Sequence, residues 1–242
     1  MRHEGIYQFK RSDLETILLT DNSEVRSRFQ ESFADLIQRF LDESDRVCTQ
    51  LRAYGDTLAP DLRAAWVEAF VFNAFNSAFT SCHLFISGFP IPAGNLMRHY
   101  AEASAMALLC SHHAIDVVRR FNQDPTRFPV QDAVQLVRKR RNTELLKIYA
   151  QGWASFEVIS KWYDKYSHVT ALSLATQTML TAPGCAILGS EFDRGKREEY
   201  RKELMLRVSA MARLCELSVA VQGYVRSAQA KGLITPITST GE

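Results

Sequence analysis

APDLRAAWVEAFVFNAFNSAFTSCHLFISG, residues 59–88, carries Trp66 and Phe70, Phe72, Phe75, Phe79 and Phe85, and from Ala69 to Met97 the chain contains no Asp, Glu, Lys or Arg. A run this long raises a transmembrane span. Asn73, Asn76, His83 and several hydroxyl residues interrupt it, and Gly88, Pro90 and Pro92 break it before a clean apolar segment of about twenty residues is complete. The same composition describes a helix enclosed by other helices. Pro60 is placed for its start and Gly88 for its end, and its aromatic residues are too many for one exposed face. This helix is expected at the centre of a bundle, with no membrane partner.

Outward from it, both flanks read as helix. On the N-terminal side, TDNSEVRSRFQESFADLIQRFLDESDRVCTQLRAYG opens with N-cap residues Asp21 to Ser23 and closes on Gly55, with Phe29, Phe33, Leu36, Phe40 and Leu51 at helical spacing. On the C-terminal side, Pro90 and Pro92 mark a tight break before a helix from about Ala93 to about His113. Pro125 and Pro129 then punctuate a short helix and a second one from about Val130. FEVISKWYDKYSHVTALSLATQTML is apolar and of helix length, and ends before Ala182. The last helix, about Lys196 to Ala230, aligns Leu204, Val208, Met211, Cys215, Ser218 and Val225 in a seam fit for a partner helix. Its opening run, RGKREEYRKEL, balances charge at i,i+4 and reads as exposed helix surface.

The expected architecture is all-α, an antiparallel up-and-down bundle of about five to seven helices with short connections. Residues 1–20 form an N-terminal arm, 21–232 the bundle, and 233–242 a flexible tail. No hairpin signal, fixed-period repeat, GxGxxG or Walker-type loop is present, so no cofactor is expected. At 242 residues the chain buries a sufficient core without staples. Twenty-nine Lys plus Arg against twenty-seven Asp plus Glu leave a net charge of +2, which builds in no global pull toward nucleic acid or anionic membrane. The one dense basic cluster is VRKRRN, Val137 to Asn142, read as a solvated helix face, with an RNA or nucleotide-phosphate contact as the alternative.

The N-terminus shows no apolar h-region followed by a cleavage site, so the expected location is cytoplasmic. Cys48, Cys82, Cys110, Cys185 and Cys215 are scattered and mostly inside apolar runs, which suits reduced, buried thiols. Cys82, His83, Cys110, His112 and His113 supply neither a CxxC nor an HExxH pattern, and no metal site is expected. If the two central helices are antiparallel, position 83 falls opposite 97 to 99, which places His83 beside His99 and Arg98.

PAGNLMRHYAEASAMALLC, residues 92–110, holds a single Arg and a single Glu. At about 100° per residue, Arg98 and Glu102 share an otherwise apolar stripe with Gly94, Ala105 and Leu109. The pair is therefore expected in the interior, either as a mutually neutralising strut or as an anchor whose guanidinium reaches an anionic ligand. Tyr163, Tyr166, Ser167 and His168 crowd hydroxyls and an imidazole into a second segment, with Asp164 beside them. Adjacent Ser167 and His168 make no catalytic triad, since neighbours on a helix point about 100° apart.

A Gly-x-x-x-x-Arg-x-x-x-Glu helix, here Gly94, Arg98 and Glu102, followed about sixty residues later by a Tyr/Ser-rich segment ending in His, here YDKYSHVTA, resembles uncharacterised bacterial helical proteins at the fringe of the HEPN (higher eukaryote and prokaryote nucleotide-binding) superfamily. That resemblance implies a helical bundle, frequent homodimers, and an internal polar pocket where the Arg/Glu helix meets the His segment, able to bind an anion or nucleotide. It nominates Arg98, Glu102 and His168, with Tyr163 and Ser167 as neighbours; His99, placed beside Arg98 by the helix geometry, is a further ligand-binding candidate. The RNase members carry Arg, then four to six intervening residues, then His on one helix, a spacing absent from this chain. Toxin-type RNA cleavage would require Arg98 to stabilise phosphate charge and His168, from another helix, to act as acid or base. A structural module dimerising through the Leu204 to Val225 seam is a further alternative.

Overall fold

The computed structural model of the protein describes residues 10–19, 21–57, 61–113, 117–124, 158–166, 168, 170–182 and 187–233. They form an all-α bundle, and no β-strand occurs among them. The elements are α1 (Arg11–Leu19), α2 (Ser23–Thr57), α3 (Leu62–Ile86), α4 (Pro90–Ser111), α5 (Val117–Gln123), α6 (158–166), α7 (Ala171–Thr176), a 3-10 turn (Arg194–Lys196) and α8 (Arg197–Ala230). The VRKRRN cluster, Ser167, Cys185 and the final tail residues lie outside the described residues.

Local chemistry sets most helix ends where the sequence placed them. Asp61 caps α3 by accepting the Arg63 N–H at 3.4 Å. Gly88 turns the chain at φ +84°, and a Cβ there would stand 2.8 Å from the Glu191 nitrogen, so this turn requires glycine. α4 starts at Pro90 rather than Ala93, because both prolines fit its first turn, where a missing N–H costs nothing. The earlier start changes the register. Ser81 Oγ donates to the Ala93 carbonyl at 2.7 Å, Ser77 Oγ pairs with His99 Nδ1 at 3.0 Å, and Arg63 Nη1 donates to the Cys110 and His112 carbonyls at 2.7 and 3.1 Å. Position 99 therefore faces 77, not 83, and His83 points to solvent.

α3 packs most extensively on α4, and α2 on α8. α2, α3 and α4 alternate in direction as expected. α8 instead runs parallel to α2 and α4: Phe29 meets Tyr200 while Gln50 meets Gln222, and Tyr100 meets Ala210 while His112 meets Tyr224. A fourth helix parallel to the first needs a long return connection, and residues 112–193 make it.

The Leu204 to Val225 seam is consumed within the chain. Leu204, Val208, Met211, Cys215, Ser218 and Val225 are all buried in the bundle core, so this seam is not a free dimer face. α3 is long and apolar enough to cross a membrane by length and composition. Val67, Val71, Ala74, Ala78 and Phe85 turn inward, whereas Phe72 and Phe79 are exposed. The helix most enclosed is α4, buried without a break from Ala103 to Ser111.

Candidate functional site

α8 carries the charged pair that the core encloses. Glu203 and Arg207 lie one turn apart, with side chains 9% and 1% exposed. Arg207 Nη1 donates to Glu203 Oε2 at 2.7 Å and to its carbonyl at 3.0 Å, while Nε donates to Ser81 Oγ at 3.1 Å. Because Ser81 donates onward to the Ala93 carbonyl, one guanidinium links α8, α3 and α4. The Phe85 ring lies 4.3 Å from the guanidinium carbon, a cation–π contact that offsets part of the cost of Nη2, which makes no hydrogen bond.

Glu203 is saturated from the other side by α6. Oε1 accepts Trp162 Nε1 at 3.1 Å and the Tyr166 hydroxyl at 3.2 Å, and Oε2 accepts the Tyr163 hydroxyl at 2.9 Å. Burial pushes the Glu203 carboxyl up, but the Arg207 charge and the hydrogen bonds from Arg207, Trp162 and Tyr163 outweigh it and hold the pKa below its ordinary value. Burial raises both tyrosines, and the Cys82 thiol is pushed up to about 11 by burial despite Arg207. An ionised carboxylate holding four donors has no lone pair directed at a substrate, and raised hydroxyls do not ionise near neutrality. This centre is a polar lock for α6.

The sequence-nominated residues separate. Arg98 Nε meets Glu102 Oε1 at 3.1 Å and Nη1 meets Asp164 Oδ1 at 3.1 Å. The Arg98 and Glu102 side chains remain 35% and 40% exposed, so the expected interior pair is a rim pair. α6 explains the difference. It crosses α4 closely at Gly94, where a Cβ would stand 2.6 Å from Tyr166 Cγ, and one turn further on it covers only the edge of α4. Tyr163 is buried but turns to Glu203. The His99 side chain is exposed.

His168 is also exposed, and its carbonyl accepts from Ser173 Oγ at 3.1 Å. It sits at a break in what the sequence presents as one continuous helix. Thr170 Oγ1 accepts the Ser173 N–H at 3.2 Å and Ser173 Oγ accepts the Thr170 N–H at 2.9 Å, a capping box that starts α7 afresh.

Glu203 falls in the run expected to be exposed. A signal for its neighbour was present: Arg207 is three residues after Leu204 and four before Met211, inside the apolar seam. A cation in such a stripe needs a buried acceptor, and Glu203 is the acidic residue one turn before it.

A cavity of about 180 Å³ opens at the bundle end where α2 and α8 begin and α3 turns into α4. The buried Phe29, Phe85 and Tyr200 line it together with the less buried Ile91, Ile187 and Leu188. The outer wall, residues 187–191, is anchored. Ile187 donates its N–H to the Gln177 carbonyl at 2.7 Å, and Ser190 Oγ bonds Asn22 Oδ1 at 2.5 Å. Just beyond, Asp193 accepts from Leu180 N, Thr181 Oγ1 and Gly195 N. Among the described residues, no group of three or more His, Cys, Asp or Glu is placed to hold a metal.

Comparison with protein-family models, curated proteins and solved structures finds no match. The class therefore rests on the molecule itself: an all-α bundle with a buried carboxylate–guanidinium lock and a separate, aromatic-lined cavity.

Proposed function

We propose that this chain is a non-catalytic, HEPN-like helical domain that binds a small molecule in the cavity beside Gly88. The cavity carries the reading. It is concave, lined by aromatic and aliphatic side chains beside Thr176, Gln177 and Glu191, and bounded by a loop held at both ends, which are marks of a pre-formed site. At about 180 Å³ it is comparable with the engineered cavity of roughly 150 Å³ that admits benzene.

The HEPN-like part of the proposal is supported by the meeting of the Gly94–Arg98–Glu102 helix with the tyrosine segment, through Gly94 against Tyr166 and Arg98 against Asp164. An anion or nucleotide at Arg98 has less support, because that guanidinium already serves the carboxylates of Glu102 and Asp164. The RNA-cleaving alternative draws none from His168, which stands apart in solvent.

Ligand-observed NMR with a library of ring-sized apolar fragments tests the reading. Saturable binding to the wild type, abolished by the cavity-filling Ile187→Trp variant at an unchanged melting temperature, is the expected result. Fragments that bind both proteins equally, or neither, refute it.

A further inference from the structure

We infer that this cavity is built for an organic cation, an ammonium group carried on a ring-sized apolar body; the inference rests on the cavity reading above and adds the charge of the ligand. Glu191 is the single formally charged residue among the described lining residues. Its Oε1 accepts the Phe192 N–H at 2.9 Å and stands 3.6 Å from Arg28 Nη1. Arg28 makes its shorter contact elsewhere, Nη2 to Glu24 Oε1 at 2.5 Å along its own helix. Glu191 Oε2 makes no hydrogen bond among the described residues, and the side chain is 37% exposed, so a residue lining the aromatic space keeps one carboxylate oxygen uncommitted. Aromatic faces with an adjacent carboxylate are the surroundings that favour a quaternary or primary ammonium.

The alternative charge is disfavoured by the same walls. The start of α4 opens on the cavity, and helix starts ordinarily attract anions through their free N–H groups. Here Pro90 and Pro92 have none, the Phe89 N–H is bonded to the Leu84 carbonyl at 2.9 Å and the Ala93 N–H to the Phe89 carbonyl at 3.2 Å, so Ile91 alone is left as a first-turn donor. The nearby lysine is also committed. Lys196 Nζ donates to the carbonyls of Ala175 and Thr176 at 2.9 and 3.1 Å, closing the end of α7 rather than facing the cavity. Arg207, beneath Phe85, is neutralised by Glu203.

Three probes that share a ring and differ in charge decide the matter by isothermal titration of the full chain: benzyltrimethylammonium, benzyl alcohol and benzoate. The wild type is expected to bind benzyltrimethylammonium about tenfold more tightly than benzyl alcohol, with benzoate weakest. Glu191→Gln keeps an acceptor for the Phe192 N–H and is expected to remove the preference for the cation. Arg28→Met removes the competing guanidinium and is expected to tighten the cation alone, which keeps the inference testable should Glu191→Gln fail to fold. Equal affinity for the cation and the alcohol, a preference for benzoate, or a cation preference that survives Glu191→Gln overturns the charge assignment and leaves the cavity reading intact. Binding of none of the three overturns the cavity reading itself.

Discussion

Two Arg/Glu pairs at i,i+4 stand on neighbouring helices with opposite fates. Arg98 and Glu102 lie in the most charge-poor stretch of the chain yet sit at the rim, 35% and 40% exposed. Glu203 and Arg207 lie close to the charge-rich start of α8 yet are enclosed, 9% and 1% exposed. The charge density of a helix describes how many faces are apolar. Which face a partner covers depends on the partner, and here α6 decides both cases. Its Trp162, Tyr163 and Tyr166 close over Glu203, while its Asp164 only reaches across to Arg98.

The comparison breaks most easily at the lock. Removing Glu203 strands a buried guanidinium, so Glu203→Ala is expected to cost about 3–5 kcal/mol in denaturant unfolding. Glu102→Ala is expected to cost under ~1 kcal/mol, because water replaces the lost partner. Equal costs for the two variants would mean that the burial difference has no energetic content. A Glu203→Leu, Arg207→Met double variant should recover only part of the loss, since it removes both buried charges but leaves the Trp162, Tyr163 and Tyr166 donors without their acceptor.

The crossing at Gly94 sharpens the same contrast. A Cβ there meets the Tyr166 ring at 2.6 Å, so Gly94→Val should destabilise by about 1–3 kcal/mol through overpacking. If α6 yields, Tyr166 leaves Glu203 as well. A double-mutant cycle with Glu203→Ala is therefore expected to be non-additive; simple additivity would show that the crossing and the lock act independently.

Acid provides the finest test. The Glu203 pKa is lowered in the folded state, so its contribution is fully present above the ordinary value of 4.5 and is lost as pH falls through the folded value. Glu203→Gln should be less stable than wild type near neutrality, with the gap narrowing as pH falls below 4.5. A gap independent of pH would show that the carboxylate is not held by its donors.

Much of this fold was legible beforehand. Pro60, Gly88 and Pro90 are punctuation that acts within a few residues, and they placed the ends of α3 and the start of α4 to within three residues. The break before α7 was less visible, because Thr170 and Ser173 cap only when the chain departs from helix, and the apolar run across them favours continuation. Of the nominated residues, Arg98 and Glu102 do pair, and Asp164 joins them from the tyrosine segment. Tyr163 is buried as its surroundings implied, but its acceptor is on α8, forty residues away in sequence. Glu191 and the cavity had no signal in the sequence. The space exists only because the 187–191 loop returns against the Gly88 turn.

By itself the sequence determined the four long helices α2, α3, α4 and α8, their approximate limits and the all-α class, since periodicity, capping and proline chemistry are local. Tertiary structure alone decided that α8 runs parallel to α2, which charge pair is enclosed, and where a ligand-sized space remains. Each of these depends on which faces meet, and burial belongs to a pair of surfaces rather than to one stretch of chain.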